Sequence, residues 1–233
     1  MKKRLEAIMA HISDGIGTVD VGTDHGYLPA ALALRGYRGN LIASDIRPGP
    51  LQAAKRTAAE IGVSESIRFL LCDGLELCEP DAVDTIVIAG MGGDTICRIL
   101  DRAEWTMDPR YTMILQPMTK AEVLRYWLSN NEYEIVKEDL VKEAGKLYQL
   151  LIVRFGRSMA LSDAELYTGA FASVRELPLA KEMLEEQIRR IAKQLSGLGL
   201  AGAEPPAGRQ KILKGVLAEL KEMHEDVNRK RYF

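Results

Sequence analysis

Five short segments, each almost continuously apolar and rich in β-branched residues, recur along the first two-thirds of this 233-residue chain. They are "GTVDV" (17–21), "NLIASD" (40–45), "IRFLL" (67–71), "DTIVIA" (84–89) and "YTMILQ" (111–116). A strand apolar at nearly every position needs cover on both faces, which is the environment of a central strand in a parallel sheet. The stretches between them, Leu28–Leu34, Pro50–Ile61, Thr95–Ala103 and Lys120–Asn130, read as helices, and Pro29 and Pro50 suit first-turn positions. Next comes "YEIVKEDLVKEAGKLYQLLIVRF", two strands turning through Ala144, Gly145 and Lys146. This alternation predicts an α/β fold, an open Rossmann-like sheet that is mostly parallel with an antiparallel edge strand.

Beyond Met159 the period changes. Leu184, Ile188, Ile191 and Leu195 step at helical intervals, as do Leu213, Val216, Leu220, Met223 and Val227, with charges between them. "SGLGLAGAEPPAG" separates the runs and is read as unable to continue a helix. The expected organisation is a sheet domain over 1–158 and an antiparallel, coiled-coil-like helical hairpin over 159–233.

Composition narrows the class of molecule. The net charge is −2, so bulk electrostatics does not announce a nucleic-acid binder. Cys72, Cys78 and Cys97 are odd in number and lack CxxC spacing, which argues against a disulfide framework or a zinc ribbon and for a reducing cytoplasm. "MKKRLEAIMAHI" reads as an amphipathic helix, not a signal peptide, and no apolar run is long enough to span a bilayer. No metal site is expected.

In an open parallel sheet, ligands sit beyond the carboxyl ends of the strands, near the point where strand order reverses. Here those ends read "DVGTDHG", "SDIRPG", "CDGLE", "AGMGGD" and "QPMT". Gly22 and Gly26 let backbone approach a ligand just ahead of a helix. The GxGxxG phosphate fingerprint is missing, and the carboxylates of Asp20 and Asp24 flanking Gly22 would repel a pyrophosphate while welcoming a cation. S-adenosylmethionine carries a sulfonium, an ammonium, a ribose diol and an adenine. Asp45, closing the second strand, suits the ribose hydroxyls, and Asp73, closing the third, suits the adenine amino group. Duller readings stand beside these: Asp45 and Asp73 as helix caps, Asp24 and His25 as a turn network, the glycines as packing, Met91 as filler and Tyr27 as core. From residues alone the chain reads as a methyltransferase; a small-molecule methyltransferase or a nicotinamide dehydrogenase on the same fold, and a non-catalytic RNA-binding protein, stand as the alternatives.

"DVGTDHGYLP", "DGLE", "TIVIAGMGG", "ILQP" and "KEAGKLYQLLIV" stand in the order and spacing of the bacterial TrmK family, which this chain resembles over almost its whole length. Members are S-adenosylmethionine-dependent enzymes that methylate N1 of adenine 22 in tRNA, with a Rossmann-like domain followed by a helical coiled-coil domain. The resemblance implies a donor site lined by Asp20, Gly22, Thr23 and Asp24, with Asp45, Ile46, Asp73 and Gly74 around the nucleoside. It places Ala89, Gly90, Met91 and Gly92 in a fourth-strand loop near the transferred methyl group. Asp45 replaces a common glutamate and keeps the acceptor, whereas Met118 stands where relatives commonly carry an asparagine.

N1 of neutral adenine already bears an in-plane lone pair, so positioning should dominate the chemistry. Asp24 is expected to accept from the exocyclic amino group as positive charge builds on the ring. His25 and Tyr27 are expected to stack on the exposed base, and Met91 completes the expected catalytic set. The tRNA backbone is expected on local basic clusters: "KKR" at the start, Arg35 with Arg38, Lys55 with Arg56, Arg189 with Arg190 and Lys193, and "NRKRYF" at the end. A cytoplasmic monomer is expected, with a dimer through the tail as the alternative.

Overall fold

All five apolar segments are strands of one sheet. The computed structural model describes residues 2–200 and 207–230. Its strands are β1 (Gly17–Val21), β2 (Asn40–Asp45), β3 (Arg68–Leu71), β4 (Thr85–Gly92), β5 (Thr112–Thr119), β6 (Tyr133–Glu143) and β7 (Lys146–Phe155). They lie in the order β3-β2-β1-β4-β5-β7-β6. β1 to β5 pair in parallel and β7 runs antiparallel to β5, its hairpin partner β6 closing that end of the sheet. The chain thus walks outward from β1 to β3, then returns to lay β4 on the other side of β1. That reversal opens a crevice between the carboxyl ends of β1 and β4.

Parallel pairing demands crossovers, and the helices α2 (Tyr27–Leu34), α3 (Pro48–Glu60) and α4 (Gly93–Asp101) supply three of them. α1 (Lys3–Met9) precedes β1, and α5 (Ala121–Asn130) leads from β5 into the β6–β7 hairpin. Side chains alternate across the sheet: Ile86 and Ile88 join Val19, Val21, Met113 and Leu115 under Ile96, Leu100, Leu124 and Leu128 of α4 and α5. Val87, Leu41, Ala43 and Ile114 face the other way, against Ile8 and Met9 of α1, Leu28 and Leu32 of α2 and Ala58 of α3. Both faces are covered, which is why the strand segments lack polar alternation. Each large aliphatic side chain buried this way contributes roughly 1.5–3 kcal/mol.

Two strands run past the ends the sequence predicts. β4 continues through Ala89, Gly90, Met91 and Gly92, so this segment is a bulged strand end and not a loop. Gly90 at φ +81° lets the strand kink, and pairing with β5 shifts register on both sides of Met91. β5 continues to Thr119 with Pro117 opposite Met91, at an irregularity where a residue without an N–H is tolerated. The hairpin turns on Ala144 and Gly145, both at positive φ, and Lys146 already belongs to β7.

Contacts divide the chain into two compact units, Met1–Lys137 with Val141–Ser158, and Glu138–Leu140 with Met159–Phe233. In the second unit, α6 (Glu165–Thr168) and α7 (Phe171–Val174) precede α8 (Ala180–Leu200) and α9 (Ala207–Lys230). α8 and α9 pack together through Leu184 and Ile191 on one side and Leu213, Val216, Leu220, Met223 and Val227 on the other. The 3.4 Å pairing of His224 near the end of α9 with Glu185 near the start of α8 makes them antiparallel. The predicted break is corrected in part: α8 runs on through Ser196–Leu200, because two isolated glycines weaken a helix without ending it. Residues 201–206 and the last three of "NRKRYF" lie outside the described residues. Among those described, no helix is long and apolar enough to cross a membrane.

Candidate functional site

A cleft of about 1100 Å³ opens over the carboxyl ends of β1 to β5, in the first unit. Its floor is the segment after β1. The N–H groups of Gly22 and Thr23 both donate to the carbonyl of Ser44 on β2, at 2.8 and 2.9 Å, which folds the chain sharply across the sheet edge. Gly22 makes that fold at φ +70°, and a Cβ there would overlap Cε of Met91. Gly26, at φ +68°, opens α2 while pressed against Ala54 of α3. Glycine is needed at both positions because an L side chain is strained there.

Three carboxylates stand at three consecutive strand ends. Asp20 is buried, and its Oδ2 accepts from the Thr23 hydroxyl at 2.6 Å. Burial, reinforced by the like charge of Asp45, pushes its carboxyl up to about 6 against the lowering effect of the Thr23 bond. Asp45, also buried, accepts the Arg47 N–H at 2.8 Å through one oxygen. That bond forms a turn; α3 itself is capped by Arg47, so Asp45 is not a helix cap. Asp73 follows β3 and pairs with Arg102 at 2.8 Å. Two buried acids facing one cavity cost energy unless a cation or donors answer them. The arrangement suits a positively charged ligand with hydroxyl and amino donors, and it disfavours a pyrophosphate.

Asp24 sits in the left-handed region at φ +52°, so its side chain leaves the loop instead of packing under it. It is 68% exposed, with His25 Nε2 at 3.8 Å. The His25 ring stacks on Tyr27, centroids 5.3 Å apart and planes 16° apart, and Lys2 Nζ lies 5.6 Å from the Tyr27 centroid. Tyr27 is half exposed, so it is no core residue. An acid, an imidazole and a phenol ring therefore share one rim of the cleft.

Thr23, Ile46, Gly74, Ala89, Gly90 and Met91 also line the cleft, with the acids and rings above. Gly92 does not reach its wall: it caps α4, where a Cβ would press on Asp94 Oδ1. Sequence reading missed two walls. Lys2, Arg4, Leu5 and Ile8 bring α1 to the cleft, Arg4 donating to Gln116 Oε1 at 3.4 Å and lying 4.9 Å from the Tyr148 centroid. Thr95, Arg98, Ile99 and Arg102 bring α4 to it. Their spacing of three, one and three is a helical stripe, the signal that was there to find. Met118 also lines the cleft, its sulfur 3.6 Å from both Arg4 Nη1 and Gln116 Nε2.

The family described as a methyltransferase domain matches residues 1–151. Over 163 residues the chain is 34% identical to the tRNA (adenine(22)-N(1))-methyltransferase of Bacillus subtilis, covering 70% of this chain and 68% of that protein. Its fold matches the crystal structure of the B. subtilis M1A22 tRNA methyltransferase TrmK with a TM-score of 0.82 at 28% identity, covering 96% and 98% of the two chains. It matches Streptococcus pneumoniae Sp1610, solved in complex with S-adenosyl-L-methionine, with a TM-score of 0.82 at 32% identity, covering 96% and 99%.

Proposed function

Because this chain belongs to the TrmK family of tRNA methyltransferases, we propose that it methylates N1 of adenine 22 in tRNA, using S-adenosylmethionine as donor. The observation that carries this reading is the buried pair Asp20 and Asp45 at the carboxyl ends of β1 and β2, beside the strand-order reversal and next to the glycine turn at Gly22.

When bound, the donor supplies an electrophilic methyl group on a sulfonium. Asp20 answers the positive charge of its amino-acid end. Asp45 accepts from the ribose hydroxyls, Asp73 from the adenine amino group, and Ile46 offers an apolar face to the ring. Met91, held against Gly22, walls the reacting end and keeps water away. On the acceptor side, the stacked rings of His25 and Tyr27 support the exposed base. Asp24, exposed on the same rim, accepts from the exocyclic amino group of the target. Its negative charge stabilises the N1-methyl cation as it forms, and no base is needed because N1 carries no proton.

The test is direct. Unmodified tRNA incubated with the protein and a labelled methyl donor should gain label, and nuclease mapping should place it on N1 of adenine 22. Label at another nucleoside, or none, defeats the reading.

A further inference from the structure

The wall formed by α4 explains a residue that the reaction as described leaves unused. Ile99 presses on Gly74, where a Cβ would stand 3.0 Å from Cγ2 of Ile99, so the loop after β3 and α4 meet closely. One turn on, Arg102 follows the end of α4 and turns its guanidinium on the same loop. Nη2 lies 2.8 Å from Asp73 Oδ2, Nη1 donates to Glu76 Oε1 at 3.5 Å, and Nε donates to the carbonyl of Arg98 at 3.3 Å. Three anchors on three sides fix the plane of the fork.

We propose that Arg102 is a positioning residue for the donor's adenine, holding the Asp73 carboxylate in the orientation that accepts an exocyclic amino group. The inference rests on the donor-site reading above. A carboxylate has four lone-pair directions, so a bond to Arg102 leaves acceptor capacity for the base. Asp73 is 38% exposed, and without the fork its side chain would rotate freely in water. Fixing it beforehand removes that ordering cost from ligand binding. It also sharpens selectivity: a carboxylate held at this place bonds an amino group and repels a carbonyl oxygen in the same position.

The experiment compares S-adenosyl-L-homocysteine with its deaminated counterpart S-inosyl-L-homocysteine by calorimetry on the full chain. Wild type should prefer the adenine compound. Arg102→Gln should reduce the preference by about five- to tenfold and raise KM for the donor by a similar factor, with a smaller effect on saturating kcat. Arg102→Lys should recover part of the preference. An unaltered preference in Arg102→Gln, or equal weakening of both compounds, overturns the proposal, the second outcome being what a merely structural role gives. Asp73→Asn separates the two layers. If Asp73→Asn abolishes the preference and Arg102→Gln does not, the Arg102 role fails alone; if Asp73→Asn leaves it intact, the assignment of Asp73 in the donor site fails and takes Arg102 with it.

Discussion

Met91, on the bulged end of β4, rests against Gly22, on the turn after β1, so closely that a Cβ on Gly22 would overlap its terminal methyl group. The two segments that flank the strand-order reversal are thereby packed on each other, and the cleft floor has one shape. Gly22→Ala brings two penalties, an L side chain at φ +70° and displacement of Met91. The expected loss of stability is about 1–3 kcal/mol in urea unfolding, with a larger fractional loss of donor affinity than of stability. Gly22→Ala with wild-type calorimetry would mean that the turn relaxes freely.

Asp20 links donor binding to pH. Its carboxyl, ordinarily near 3.8, is held at about 6 by burial, so the folded protein binds this proton more tightly than the unfolded chain does. The stabilisation this gives is fully present below pH 3.8 and is lost as pH rises through about 6. Asp20→Asn, which never ionises, should therefore gain on wild type above pH 6 in the absence of ligand, by at most about 3 kcal/mol. Affinity for the cationic donor should run the other way, falling as pH drops through about 6 and Asp20 protonates. Thermal unfolding from pH 4 to 8, with calorimetry in two buffers to count protons released on binding, checks both signs.

Asp24→Asn isolates charge from shape. Asparagine tolerates the left-handed region as well as aspartate does, so the turn at φ +52° survives. Donor affinity should stay within a factor of about two, while kcat on tRNA falls about ten- to a hundredfold as the developing cation loses its partner. A kcat that does not change removes Asp24 from the chemistry.

The β6–β7 hairpin carries an uncompensated strain. Ala144 occupies φ +49°, followed by Gly145 at φ +76°. A two-residue turn with both positions at positive φ suits glycine or asparagine at each. Ala144→Gly should stabilise the protein by about 0.5–1 kcal/mol, relief of the strained Cβ outweighing the larger unfolded-state entropy of glycine. Chemical denaturation measures this; a loss of stability would show that the turn has no strain to release.

Much of the architecture was legible because burial leaves a period. Val19, Val21, Ile86, Val87 and Ile88 are apolar without alternation because helices cover both faces, and that pattern announces a central sheet before any contact is known. Leu213, Val216, Leu220, Met223 and Val227 likewise announce a helix with one buried face. The end of β4 was harder: three glycines in "AGMGG" look like a loop, yet only Gly90 bends, and the strand continues around it. Period gives the core face of a helix and is silent on the polar face. Arg102 therefore reads as an ordinary surface cation and Arg4 as one of a basic cluster for the tRNA backbone, although each reaches the cleft.

What the sequence determined alone is local: the order of elements, the faces they bury, and the acids and glycines set at strand ends. These follow from backbone geometry and from the hydrophobic effect acting on neighbours along the chain. Tertiary structure alone decided which ends converge. The return from β3 to β4 across β1 sets Met91 on Gly22, and α4 sets Arg102 on Asp73, pairings between segments with no sequence relation to each other. Such pairings arise from packing whole elements in three dimensions, and no periodicity along one dimension encodes them.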